Sequence, residues 1–321
     1  MKKMLLLACA ALLSVSAAFA SEILITVAHG ATEDHSSHIG WLEFKRVVEE
    51  KSNGELKVEI YPNQQMGGDR EVTEAAQIGN VAMGHSSCSP VAGFAREFFI
   101  MDAPFMFNTR DEVYAALDGE PGKALLKCLE KINLKGLGFT ENGFRNLTAN
   151  KRITTPDDLK GIKIRVMENK VQMLTWSSLG ANPTPIAFGE LFTSLQQGTV
   201  DAQENPFELI YTNKFFEVQK YVVTTNHIYS PMPVFMNLEF YDDLSDAHKR
   251  IVEEAAREMI TLQRTVAKDN EDKAVAAIKD KVEIVTLSPE QKKLFQDRMG
   301  PVYAEVRSQV KNDALVDMFL K

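Results

Sequence analysis

The sequence predicts an α/β fold. Segments in which apolar and polar residues alternate, as they do in strands, take turns along the chain with segments whose apolar residues have helical spacing. About 300 residues remain once a predicted N-terminal leader is set aside, enough for two domains. Residues 244–279 form a charged stretch almost without helix breakers, which predicts one unusually long helix.

The N-terminus has the pattern of an export signal. Lys2 and Lys3 precede an apolar run over residues 4–15 and the small-residue pattern Ala18-Phe19-Ala20. This run is shorter than the roughly 20 residues that a membrane span needs. The sequence therefore predicts a signal peptide over residues 1–20 and a mature protein located in the periplasm.

Composition narrows the classes of function. Without the leader, 34 basic residues stand against 44 acidic ones, which disfavours nucleic acid and anionic membranes as partners. Cys88 and Cys128 allow a disulfide in an oxidising compartment, and the sequence leaves that pairing open. No metal-ligand spacing, phosphate-binding loop or nucleophile elbow is visible, so we predict no metal, no cofactor and no enzymatic activity.

The first half of the chain predicts one α/β unit. Trp41, Phe44 and Val48 recur at helical spacing, and the residues from Leu56 to Ile60 alternate as a strand. Strands are predicted over 23–28, 56–60 and 81–84, and helices over 37–51, 69–79 and 111–131. His29 and His85 follow two of these strands, where open sheets place their ligands, so both are candidate binding residues. The alternative is a loop histidine hydrogen-bonded to the backbone.

A second unit begins near Arg145. Thr155 and Asp158 form a capping-box pattern before a strand over 162–166, in which Ile162, Ile164 and Val166 alternate with charged residues. Next come predicted helices over 169–179 and 188–197, a turn over 180–185, a strand over 199–202 and a loop over 203–206.

Arg165 is the most informative residue of this second unit. It lies near the carboxyl end of the predicted strand, at the edge where open α/β sheets bind ligands. Its planar guanidinium is suited to hold a carboxylate through two parallel hydrogen bonds. A structural ion pair is the alternative explanation.

Four segments together resemble the solute-binding subunits of tripartite ATP-independent periplasmic (TRAP) transporters. They are residues 143–150, 159–166, 179–185 and 197–206, and the resemblance extends over essentially the whole mature chain. It implies a two-lobed α/β receptor with hinge strands and a long helix spanning both lobes. Such a receptor closes on a small organic anion and delivers it to a membrane complex driven by an ion gradient.

The resemblance also implies a division of the chain and a set of binding residues. Lobe I would comprise residues 21–144 with about 234–272, and lobe II residues 145–233 with about 273–321. In this family the arginine at the position of Arg165 forms a salt bridge with the ligand carboxylate. The residues matching Arg145, Asn205 and Phe188 tend to face the ligand.

Each of these three residues also has a simpler explanation. Arg145 could pair with an acid such as Glu141, and Asn205 could cap the helix that follows it. Phe188 begins an apolar helical stripe and could be a core residue.

Glu168, three residues beyond Arg165, bears on the kind of ligand. If Glu168 faces the ligand, its carboxylate would repel a second anionic group and favour an ammonium, a hydroxyl or a bound cation, so that a hydroxy acid, sugar acid or amino acid is favoured over a simple dicarboxylate. Alternatively, Glu168 is a first-turn acid favoured by the helix dipole, or it pairs with Arg165 in the empty site. Two other functions stay open: a receptor for a sensor kinase or chemoreceptor, and a periplasmic enzyme.

Overall fold

The structure is a computed structural model, and it describes residues 22–320. The predicted signal peptide lies outside these residues. Two sheets with helices packed around them confirm the predicted α/β class. The strands are β1 (Ile23–Ala28), β2 (Leu56–Tyr61), β3 (Met83–His85), β4 (Leu134–Phe144), β5 (Asn146–Ala149), β6 (Lys163–Val166), β7 (Asn182–Pro185), β8 (Ala202–Asn205), β9 (Tyr221–Val223), β10 (Tyr229–Asn237) and β11 (Glu283–Val285).

Helices connect these strands and form the C-terminal end of the described chain. They are α1 (Ser36–Lys51), α2 (Asp69–Gln77), α3 (Cys88–Val91), α4 (Arg110–Asp118), α5 (Glu120–Lys127), α6 (Lys170–Ser178), α7 (Leu191–Gln196), α8 (Phe207–Thr212), α9 (Leu238–Asp243), α10 (Asp246–Ile278), α11 (Pro289–Gln296), α12 (Gly300–Val310) and α13 (Asp313–Phe319). Within residues 22–320, no helix is both long and apolar enough to cross a membrane.

The two sheets are built from different parts of the chain. The first has the strand order β2-β1-β3-β10-β4, and the second has the order β11-β9-β5-β8-β6-β7. The chain passes from the first sheet to the second between β4 and β5, and it returns between β9 and β10. Two sheets are consistent with two lobes; the exact division of residues between the lobes remains a proposal.

The long helix α10 links the two sheets. Its Met259 packs in the apolar core beneath the first sheet, with Trp41 and Phe44 of α1, whereas its Ala274 and Ile278 pack in the core of the second. Ser245 caps the helix, as its hydroxyl accepts a hydrogen bond from the backbone N–H of His248 at 3.1 Å. The predicted helix over 244–279 is thereby confirmed, and one rigid element contributes to both cores.

The segment that positions Arg165 also forms as predicted. Asp158 accepts hydrogen bonds from the backbone N–H groups of Thr154 and Thr155, each at 2.9 Å, and closes a capping box around the 3₁₀ turn Pro156–Leu159. Strand β6 follows directly and runs parallel to β7 and β8.

Four predictions about elements are wrong. The strand predicted over 199–202 and the loop predicted over 203–206 are both displaced, since β8 begins at Ala202 and continues through Asn205, where Gln203 and its neighbours pair in register with β5. The turn over 180–185 contains β7, which tolerates prolines because it is the edge strand of its sheet. The helix over 111–131 is two helices, since Pro121 cannot lie inside a helix and starts α5 instead.

Candidate functional site

A cavity lies between the two sheets, where the carboxyl ends of strands from both sheets face each other. Its free space, including the opening to solvent, is about 860 Å³. The charged residues that line it are Arg70, Arg145, Arg165, Asp69, Glu71 and Glu168. Six of the seven predicted binding residues line this cavity, and they come from both sheets.

Of the two buried arginines that line the cavity, Arg165 is the one without an ion-pair partner in residues 22–320. Its side chain is 2% exposed, and its Nε donates to the backbone oxygen of Ile186 at 2.8 Å. Nη1 is buried and has no hydrogen-bond partner within residues 22–320. Burial lowers the pKa of Arg165 to about 10, an effect that nearby Glu204 opposes, so the side chain is charged at neutral pH. A buried, charged N–H group without an acceptor is costly unless an anion occupies the cavity.

Arg145 lines the same cavity but already has a carboxylate partner. Its Nε and Nη2 donate to the two carboxylate oxygens of Glu204 at 2.5 and 2.9 Å. The acid it pairs with is therefore Glu204, whereas Glu141 bonds to Arg110, Tyr114 and Tyr229.

Glu204 is held in its charged form. Burial by itself raises the pKa of this carboxyl, but the Arg145 guanidinium and the hydrogen bond from His227 together lower it to about 2. The Arg145–Glu204 pair therefore carries no net charge at neutral pH, and it adds little attraction for an anion in the cavity.

Asn205 is the last residue of β8 and does not cap the following helix, whose N-cap is Pro206. Its side-chain oxygen accepts from Nη2 of Arg145 at 3.0 Å, and its Nδ2 donates to Oε1 of Gln203 at 2.5 Å. One amide hydrogen and one lone pair are left for a group in the cavity. Asn205 is thus oriented by its neighbours and faces the cavity.

Phe188 and Glu168 lie beside Arg165. The Phe188 ring is half-buried, packs edge-on against Phe215, and its centroid lies 5.9 Å from Cζ of Arg165. Glu168 is exposed at the wall of the cavity. Both positions are compatible with ligand contact.

The two predicted histidines differ in position. His85 is 1% exposed and lines the cavity. His29 is fully buried behind it: the two rings stack with centroids 5.4 Å apart, and His29 bonds to His38 at 3.2 Å. His29 is not among the residues that line the cavity within the described chain, because its ring packs against His85 and against His38 of α1.

Seven polar or charged residues that line the cavity were not among the predicted binding residues: His35, Gln64, Asp69, Arg70, Glu71, Ser87 and Asn142. Asp69 accepts a hydrogen bond from the backbone N–H of Ser87 at 2.8 Å; burial raises its pKa, against the effects of that bond and of Arg165. Its position after two glycines is also typical of a helix start, so no local signal distinguishes it.

The described residues offer no metal site and no disulfide. No group of three or more His, Cys, Asp or Glu side chains within residues 22–320 is arranged to hold a metal ion. Cys88 and Cys128 are both free thiols.

Comparisons with known proteins show the family to which the chain belongs. Residues 27–309 match the family model described as bacterial extracellular solute-binding protein, family 7. The chain is 34% identical over 296 residues to the C4-dicarboxylate-binding periplasmic protein DctP of Rhodobacter capsulatus, covering 91% of this chain and 89% of that protein.

Solved structures share the whole fold. A TRAP periplasmic solute-binding protein from Polaromonas, bound to D-erythronate, superposes with a TM-score of 0.88 at 34% identity, over 92% of this chain and 98% of that one. The sugar acid binding protein of Advenella mimigardefordensis, in complex with galactonate, has a TM-score of 0.89 at 32% identity, over 93% and 98%. The chain therefore belongs to family 7 of the bacterial extracellular solute-binding proteins and is a solute receptor of the TRAP type.

Proposed function

We propose that this receptor binds a small hydroxylated monocarboxylate, of the sugar-acid kind, through an Arg165–carboxylate clamp. The observation that carries the proposal is the buried guanidinium of Arg165, whose Nη1 has no acceptor among the described residues. A ligand carboxylate in the cavity would supply that acceptor in a charge-assisted hydrogen bond. The fork geometry of arginine allows a second, parallel bond to the same carboxylate.

The charges around the cavity favour a ligand with one carboxylate over a ligand with two. Three arginines line it against three acids, Asp69, Glu71 and Glu168, and Glu204 lies directly behind Arg145. After the Arg145–Glu204 pair is set aside, two arginines face three carboxylates. A second anionic group on the ligand would meet no surplus of positive charge, whereas hydroxyl groups could bond to carboxylates and amides alike.

We also propose where this receptor is located and how it acts. The protein is exported by the predicted signal peptide over residues 1–20, as a periplasmic receptor must be. It acts by binding rather than by catalysis, and it passes its ligand to the membrane subunits of a TRAP transporter. Closure of the two lobes over the ligand would exclude water and strengthen the hydrogen bonds between Arg165 and the ligand carboxylate.

A thermal-unfolding screen of the purified mature protein tests the proposal. The protein is first unfolded and refolded to remove any bound ligand, and it is then heated with galactonate, D-erythronate, succinate and both enantiomers of several amino acids. A ligand at about 1,000 times its dissociation constant should stabilise the fold by about 4 kcal/mol. We expect the hydroxylated monocarboxylates to raise the melting temperature most. A larger shift with succinate would refute the choice of ligand class.

A further inference from the structure

Two buried, uncharged polar side chains of the first sheet face the cavity with unused hydrogen-bonding capacity. His85 ends β3 and is 1% exposed; Asn142 lies in β4 and is 7% exposed. Both strands are neighbours of β10 and run in the same direction, so their carboxyl ends meet at one edge of the sheet. This edge lies opposite the second-sheet strand that carries Arg165.

His85 is fixed as a hydrogen-bond donor by Trp41. The indole Nε1–H, which can only donate, bonds to Nδ1 of His85 at 2.6 Å. Because Nδ1 accepts, the ring proton of neutral His85 lies on Nε2. Burial, together with the neighbouring His35, lowers the pKa of His85 to about 3, so the ring is neutral at physiological pH. Its Nε2 is buried and has no partner in the part of the chain that the structure describes.

Asn142 reaches the cavity because of a β-bulge. The register between β4 and β10 shifts at this point: Gly143 pairs with Ser230 and Glu141 with Pro231, which leaves Asn142 as the extra residue. Gln263 of α10 holds the bulge, since its side-chain amide bonds to both backbone groups of Glu141, at 2.9 Å to N and 2.6 Å to O. The Asn142 amide makes no hydrogen bond with residues 22–320 and lines the cavity.

We propose that His85 and Asn142 form a hydroxyl subsite, which selects ligands whose hydroxyl groups face the first sheet while Arg165 of the second sheet holds the carboxylate. A hydroxyl oxygen can accept from Nε2–H of His85, and a hydroxyl proton can be donated to the Asn142 oxygen. An unsubstituted chain would leave both side chains desolvated and unpaired, and sites of this kind reject such analogues strongly. Trp41 is a positioning residue for His85. The inference rests on the proposed function and adds the residues that set its ligand class.

Matched pairs of ligands test the subsite by calorimetric titration. D-Erythronate is compared with butanoate, and galactonate with hexanoate, because each pair shares its carboxylate and chain length and differs in its hydroxyl and terminal groups. The wild type should favour the hydroxylated member. In His85→Ala and in Asn142→Ala this preference ratio should fall by roughly threefold to tenfold, the value of one hydrogen bond. General damage to the fold would weaken the binding of both ligands of a pair and leave the ratio of their affinities unchanged.

The outcomes separate the two proposals. The surface variant His248→Ala, whose ring bonds to Glu55 far from the cavity, should keep the wild-type ratio. Wild-type ratios in both subsite variants would overturn the hydroxyl subsite and leave the carboxylate clamp standing. A wild type that binds none of the four acids would overturn the clamp and, with it, the subsite.

The tautomer of His85 gives a second test that needs no ligand. Nitrogen-15 NMR of histidine-labelled protein at pH 7 should show His85 neutral with its proton on Nε2, and Trp41→Phe should mix the two tautomers. A charged ring, or a proton on Nδ1 in the wild type, would contradict the inference even if the Trp41 variant does not fold.

Discussion

Two buried arginines in one cavity have different roles because their surroundings differ. Arg145 is neutralised by Glu204, which is itself bonded to His227, so this arginine mainly orients Asn205 and the end of β8. Within residues 22–320, Arg165 makes one hydrogen bond, from Nε to the backbone oxygen of Ile186. Of these two arginines, Arg165 therefore has the capacity to bind an anion.

Position along a strand was enough to predict Arg165 and His85 as cavity residues, whereas Asn205 was predicted only through the family resemblance. The same rule was misleading for His29, because the end of β1 directs that ring behind His85. Asn142 could not be predicted, since the bulge that turns it into the cavity depends on a contact with Gln263, which is 122 positions from Glu141 in sequence.

Removing the charge of Glu168 should change the preference among ligands. In Glu168→Gln we expect succinate to bind about threefold to tenfold more tightly than in the wild type, because an exposed repulsion of about 1 kcal/mol is lost. Galactonate should change less. Calorimetric titration measures both affinities, and the exposed Glu190→Gln is the matched control. Equal succinate affinities in the wild type and Glu168→Gln would exclude ligand contact by Glu168.

Elements with strong periodicity and clear caps were predictable, and elements that depend on partners were not. Helix α10 and strand β6 carry their own signals in Ser245, Thr155 and an alternating pattern. Strand β10 does not, because Pro231 and Pro233 are typical of loops; it forms because β3 and β4 flank it. Strand β8 is polar yet fully buried, since its side chains bond to those of β5.

One contact between helices that pack on different sheets can be tested directly. Glu208 of α8 accepts hydrogen bonds from the backbone N–H and the hydroxyl of Ser36 at the start of α1, at 2.8 and 2.7 Å. Asn270 of α10 donates to the same carboxylate at 2.7 Å. The carboxylate thus joins three helices, and its negative charge suits the N-terminal end of α1.

The variant Glu208→Gln should lower the free energy of unfolding by about 1–3 kcal/mol, because an amide nitrogen then faces buried donors. Urea unfolding measures this change, and the exposed Glu217→Gln should leave stability near the wild-type value. If both variants unfold like the wild type, the contact contributes nothing to the described fold.

At the scale of the whole molecule, the fold explains why the site lies where it does. Strands β1, β3 and β4 of the first sheet, and β6, β7 and β8 of the second, direct their carboxyl ends toward the same cavity. Open α/β sheets bind ligands at this edge. Helix α10 packs on both sheets, so it fixes one relative to the other in the described conformation.

Buried titratable groups make the stability of the molecule dependent on pH. The pKa of His85 is lowered to about 3 and that of His29 to about 2, in both cases mainly by burial. Below pH 6.5 the unfolded chain therefore binds protons that the folded chain does not, and each histidine lowers the free energy of unfolding by about 2 kcal/mol at pH 5.

Asp102 has the opposite effect on the free energy of unfolding. Burial raises its pKa to about 6, so the folded chain takes up a proton between pH 7 and pH 5 and the free energy of unfolding rises by about 1 kcal/mol. We expect urea unfolding to show a net loss of stability from pH 7 to pH 5, and a smaller loss in His29→Asn. Equal stability at the two pH values would show that these histidines are not buried as neutral rings.

The central claim is that Arg165 binds the carboxylate of the ligand, and calorimetric titration of Arg165→Ala against the best acid from the thermal screen tests it most directly. We expect a loss of affinity of tenfold or more, because charge-assisted hydrogen bonds disappear, and a smaller loss in Arg165→Lys, which keeps the charge without the fork. Arg152→Ala, which breaks only an exposed ion pair with Glu283, should bind like the wild type. Wild-type affinity in a folded Arg165→Ala would contradict the account.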